Sequence, residues 1–115
     1  MKPVRFVASS LDDLRALPDD VQGVIGYALY LAQIGLKHES AKPLKGFGGA
    51  GVLEMVEDHD GSTYRAVYTV RIKDAVYVLH VFQKKSRRGI ATPQHEMELI
   101  RARLRLAIAD ADGER

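Results

Sequence analysis

Apolar residues at positions 21, 24, 25, 28, 31 and 32 fall on one face of a helix, which predicts an amphipathic helix from Val21 to Leu36. Gly23 and Gly26 each weaken it by roughly 1 kcal/mol relative to alanine, so it depends on tertiary packing. Upstream, "PVRFVA" places Val4, Phe6 and Ala8 in strand alternation. "SSLDDLRAL" then reads as a short helix, with Ser9 or Ser10 at the N-cap, acids in its first turn and Pro18 closing it. "KHESAKPLKGFGGAG" is a loop by composition, and "VLEMVED" is a strand ending in the Asp-Gly turn of "HDGS". "TYRAVYTVRI" and "AVYVLHVFQKK" are the strongest strands, rich in Val and Tyr and joined at Lys73-Asp74. In "TPQHEMELIRARLRLAIA", Thr92 sits at N-cap and Pro93 at N1, and Met97, Ile100, Leu104, Ala107, Ile108 and Ala111 form an apolar stripe. The order strand, two helices, three antiparallel strands, helix predicts an α+β fold. It comprises an antiparallel sheet of about four strands, helices packed on one face and a C-terminal helix. Residues 1–109 form one domain and 110–115 a frayed tail.

A two-residue turn at 73–74 pairs 72 with 75, and hence 69 with 78, 67 with 80 and 65 with 82. One face of the hairpin then carries Tyr64, Ala66, Tyr68, Val70, Ile72, Ala75, Tyr77, Leu79 and Val81, a surface for helices to cover. The other carries Arg65, Val67, Thr69, Arg71, Val76, Val78, His80, Phe82 and Lys84. A bulge anywhere in the hairpin flips part of this assignment.

Composition adds little until it is resolved by position. The chain has 115 residues, 46% hydrophobic and 28% charged, with no cysteine, so disulfides and thiolate metal sites are excluded. The N-terminus lacks a signal-peptide h-region, and no apolar run approaches a membrane span, which points to a cytoplasmic protein. The formal net charge is only +2, yet Ser62–Gly89 holds seven Lys/Arg against Asp74 alone, so the remainder carries −4. Such segregation builds a local positive field that attracts polyanions.

That field ends in Lys84, Lys85, Arg87 and Arg88, which extend the face begun by Arg65 and Arg71. Guanidinium forks suit phosphate, His80 can exchange a proton near neutral pH, and Phe82 offers a surface for an unstacked base. The ordinary readings stay open: "KKSRR" as a solvated loop, His80 as a structural histidine, and Arg65 paired with Glu54 to hold strand register. "GFGGAG" matches the dinucleotide-binding pattern by letter but leads into a strand rather than a helix, so it reads as a glycine-rich loop. The four histidines lack metal-ligand spacing, and His95 reads as exposed and incidental.

"KPLKG", the strand containing "LEM", "YRAVYTV", "VYVLHVFQKKS" and "ATPQHEMELIRARL" occur in an order that resembles the RelE/HigB-like toxins of bacterial toxin–antitoxin modules, in particular the phage-derived HigB-like branch. The likeness spans residues 3–108 and is most specific from Tyr64 to Pro93. It implies a small ribonuclease that cuts messenger RNA in the ribosomal A site without cofactor or metal, by attack of a ribose 2′-hydroxyl on the adjacent phosphate.

By the resemblance, Arg65 clamps phosphate, Lys84 and Lys85 stabilise transition-state charge, and Lys45 of the "PLKG" loop contacts RNA backbone. His80 is the candidate for proton transfer, mainly from its predicted face, and Glu54 is a second candidate base. Arg71, Phe82, Arg87 and Arg88 complete the expected RNA surface. Tyr68 matches the motif's second tyrosine but falls on the core face, and the final helix lacks the tyrosine that some relatives carry. The implied partners are the ribosome, its messenger RNA and a helix-turn-helix antitoxin, in a toxin–antitoxin hetero-oligomer and with no membrane. The alternative is an RNA-binding or antitoxin-binding protein that keeps the fold without cleavage.

Overall fold

The computed structural model describes residues 1–49, 51–84 and 92–113. Its elements run β1 (Val4–Phe6), α1 (Ser10–Arg15), α2 (Asp19–Gln33), β2 (Ala41–Pro43), β3 (Val52–His59), β4 (Ser62–Ile72), β5 (Ala75–Lys84) and α3 (Gln94–Gly113). The α+β class and the C-terminal helix are as expected. The sheet has five strands rather than about four, in the order β1-β5-β4-β3-β2. The fifth is β2, a three-residue edge strand inside the segment expected to be loop. β1 joins β5 in parallel, so the sheet is mixed.

The long hairpins follow local chemistry. β3 and β4 meet at Asp60-Gly61, both at positive φ, as the tight Asp-Gly turn requires. Their register is unbroken from Val52↔Thr69 to His59↔Ser62. β4 and β5 pair as expected at 65↔82, 67↔80 and 72↔75, but Thr69 faces Tyr77 instead of Val78. Two irregularities cause this slip. Leu79 is extra on β5 between the 67↔80 and 68↔78 pairs, and β4 has two residues opposite Val76 before Ile72. Each extra residue turns over the pleat of the strand that carries it, and the second restores the register that the first shifted.

The inversion decides which residues each helix covers. Tyr64, Ala66, Tyr68, Val76, Val78 and Val81 form one core with α1 and α2, through Leu14, Val21, Ile25, Ala28, Leu29 and Ala32. Val67, Ala75, Tyr77 and Leu79 form another with α3, through Ile100, Ala107 and Ala111. Helices therefore cover both faces of the sheet, not one, and Ile72, Ala75, Tyr77 and Leu79 change sides from the expected arrangement. α3 continues through the expected tail to Gly113, held there by Tyr77 Oη donating to Asp110 at 2.8 Å and by burial of Ala111. Ser9 takes the N-cap position of α1 without capping through its side chain, which donates instead to Asp13 at 2.7 Å.

Candidate active site

Direct pairing across an antiparallel sheet puts partners on one face, and alternate residues return to it. At the end of the sheet away from the 73–74 turn, the α3 side therefore carries Glu54, Val56 and Asp58 on β3, then Val67, Arg65 and Thr63 on β4. His80, Phe82 and Lys84 complete it on β5. This part of the sequence-derived face is kept because it lies beyond both irregularities.

Arg65 and Glu54 form an ion pair at 2.9 Å, with side chains only 6% and 14% exposed. Thr92, just ahead of α3, completes the group: its hydroxyl donates to Glu54 Oε2 at 2.9 Å and lies 3.3 Å from Arg65 Nη1. Lys84 is buried close by. Burial first, and then the neighbouring Arg65 guanidinium, hold its ammonium below the usual lysine range, with Glu54 opposing. Two cations and a carboxylate, largely shielded from water, make an arrangement that can receive an anion and exchange protons with it.

His80 heads a second group one row away. Its ring stacks on Phe82 with centroids 4.5 Å apart. Glu96 Oε2 lies 3.1 Å from Nε2, and Arg103 Nη1 lies 3.2 Å from Nδ1. Arginine only donates, so Nδ1 accepts, and the ring proton sits on Nε2 facing the carboxylate. Burial lowers the His80 pKa below its ordinary value, partly offset by Glu96. Both ring nitrogens are thus engaged within the protein. Arg103 also donates to the Leu79 carbonyl and to Ser9 Oγ, each at 3.1 Å, tying α3 to β5 and to α1.

The remaining expected residues are dispersed. Lys45 is exposed in the β2–β3 loop, where Gly46 lies against Met97 and Arg101 of α3, and Arg101 sits 5.5 Å over the Phe47 ring. That glycine-rich loop leads into β3, as expected. Arg71 lies six residues from Arg65, roughly 20 Å along the strand, and is tethered to the Gly49 carbonyl at 3.1 Å. It does not extend the Arg65 face. Lys85, Arg87 and Arg88 lie outside the described residues. Tyr68 is fully buried, consistent with a packing role.

Sequence reasoning missed Thr92 as a site residue, and Glu96 and Arg103 altogether. The signal was there: Glu96, Ile100, Arg103, Ala107 and Ala111 recur at helical spacing, and the last four are the buried residues of α3. Counting only apolar residues directed the stripe towards Ile108, which is 45% exposed. Among the described residues, no helix is long and apolar enough to cross a membrane. Nor does any group of three or more His, Asp or Glu stand ready to hold a metal ion.

Comparison with known proteins places this site in context. Residues 12–105 match the family model described as "Phage derived protein Gp49-like (DUF891)". No curated protein and no solved structure matches the chain. The matched span holds β2–β5, most of α3 and every described member of the Arg65 and His80 groups. The chain therefore belongs to the phage-derived Gp49-like family, a family of RelE/HigB-like toxins.

Proposed function

We propose that the protein is the toxin of a toxin–antitoxin module, of the HigB-like branch, and that it cleaves messenger RNA on the ribosome by 2′-hydroxyl attack. The observation carrying this reading is the buried Arg65–Glu54 pair with Lys84 beside it. A scissile phosphate replaces the Glu54 carboxylate as the anionic partner of Arg65, since both present oxygens to the same guanidinium. The displaced carboxylate then lies next to the phosphate and accepts the 2′-hydroxyl proton. The 2′-oxygen bonds to phosphorus, the bond to the 5′-oxygen breaks, and the Lys84 ammonium donates a proton to that leaving oxygen. The products are a 2′,3′-cyclic phosphate and a 5′-hydroxyl. Arg65 and Lys84 stabilise the additional charge on phosphorus, so the chain's own cations supply the electrostatic part of catalysis. His80 serves by positioning: held by Glu96 and Arg103, it presents Phe82 to a base.

The test is a cleavage assay with ribosomes programmed with a short messenger RNA. The expected result is discrete 3′ ends carrying cyclic phosphate, lost in the Arg65→Ala, Lys84→Ala double variant. Wild-type protein that binds programmed ribosomes but leaves the message intact would overturn it. One observation favours the second reading, a binding protein without cleavage: both Glu54 oxygens are already bonded within the protein. Ribosome or antitoxin binding with no new RNA ends is its signature. On the toxin reading the protein acts in the cytoplasm and is neutralised by a helix-turn-helix antitoxin.

A further inference from the structure

Away from the Arg65 group, at the sheet edge, the end of α2, the glycine-rich β2–β3 loop and the bulged end of β4 enclose a cleft of about 390 Å³. That volume lies within the range of small ligand sites. Its floor is aliphatic, with buried Val52 and part-buried Leu44 and Leu53, Leu36 stands exposed at its border, and Lys2, Lys37 and Arg71 also line it. No acidic residue lines it among the described residues.

The fold anchors the backbone of Lys2 and the side chains of Lys37 and Arg71. Lys2 is bound to the end of α2 through its amide to the Gln33 carbonyl at 3.1 Å, and through Gln33 Nε2 to its own carbonyl at 2.7 Å. Lys37 Nζ donates to the Ala41 carbonyl at 2.8 Å. Arg71 reaches across to the Gly49 carbonyl, and Gly51 makes room for it. A Cβ on Gly51 would lie 2.4 Å from Arg71 Cγ, and the residue sits at φ +69°. The two lysine side chains are not needed as helix caps, because the Ile34, Gly35 and Leu36 amides bond the Tyr30, Leu31 and Ala32 carbonyls and the Lys2 amide bonds that of Gln33. Both lysines line the cleft.

We propose that this cleft binds an acidic, aliphatic segment of a partner protein, an apolar side chain entering the leucine floor and flanking carboxylates meeting Lys2, Lys37 and Arg71. Charge complementarity fixes the sign of the partner. The lining points to its class, because single-stranded RNA is held mainly by stacking on aromatic side chains, and no aromatic residue lines the cleft among the described residues. Leu36 is 59% exposed and Ile34 43%, so apolar surface is exposed just past the end of α2. Identifying the partner with the antitoxin rests on the toxin reading; the preference for an acidic segment does not.

The experiment is an amide NMR titration of the intact protein with a peptide of about twelve residues alternating Leu and Glu, taken to about millimolar concentration, where weak sites register. Shifts are expected at Lys37, Gly48, Gly49 and Arg71. The Lys37→Glu, Arg71→Glu variant should weaken binding at least about tenfold while the rest of its spectrum stays unchanged. The Lys84→Ala variant, which keeps the Arg65–Glu54 pair, should bind the peptide as wild type does, separating this site from the ribonuclease reading. Absence of shifts in the cleft, equal shifts with a Leu-Lys peptide, or saturation of the same residues by a uridine decamer at lower concentration would each overturn the proposal.

Discussion

Arg103 Nη1 stands 3.2 Å from His80 Nδ1, so the imidazole is held unprotonated at that nitrogen by a group that cannot accept. Protonating His80 in the folded protein costs this contact and sets a second positive charge beside the guanidinium.

The first prediction follows from that pair. Burial leaves the folded pKa of His80 below the value near 6.5 of an unfolded histidine. The unfolded chain therefore takes up the proton first as pH falls. The stability supplied by the neutral ring is present above about pH 6.5 and is lost as pH drops towards the folded pKa. Thermal midpoints measured from pH 8 to pH 5 should fall across that window, and the part owed to His80 should vanish in His80→Phe.

Arg65 is a structural residue as well as the proposed clamp. Replacing it with Met leaves Glu54 as an uncompensated, largely buried charge, at a cost of about 3–5 kcal/mol. Adding Glu54→Leu should restore much of that loss. Denaturant unfolding of the two single variants and the double reads the coupling, and costs that simply add would contradict it.

Tyr68 offers a gain in stability. Its hydroxyl is buried with no hydrogen-bond partner among the described residues, and burial pushes its pKa up to about 12. Tyr68→Phe removes an unsatisfied polar atom and keeps the ring, so stability should hold or rise by about 1 kcal/mol. A loss above about 1 kcal/mol in chemical denaturation would show that the hydroxyl does have a partner.

Arg103→Met should cost about 1–3 kcal/mol, because the Leu79 carbonyl loses its donor in a buried position and the tie to Ser9 is lost as well. Its distinctive mark lies elsewhere. With the guanidinium gone, His80 is free to protonate, so its pKa by NMR should rise, whereas a purely packing role leaves the titration unmoved.

How far these relationships could be read in advance depends on the range of the interaction. The Asp60-Gly61 turn and the Arg65–Phe82 and Val67–His80 pairs follow from alternation and turn chemistry, and the structure keeps them. The Glu54–Arg65 pair was one of the readings left open on the same grounds. What escaped was set by two extra residues in strands whose composition gives no warning. Leu79 looks like any strand leucine, yet it shifts Tyr77 and Ala75 to the face that α3 covers. Arg103 escaped for a different reason. A charged residue in a helix is first read as solvent-facing, and only three separate acceptors, on β5 and ahead of α1, make its burial affordable.

β1 pairs in parallel with the start of β5, Val4 against Val76. β1 thus waits for a partner 72 positions later in the chain, and its edge of the sheet cannot close until β5 has emerged. Loop-closure entropy makes this contact slow compared with the local hairpins. The nascent protein should assemble from β3–β5 outward and seat its first residues last, leaving a late interval in synthesis when the sheet stands ready but its N-terminal border is still unpaired.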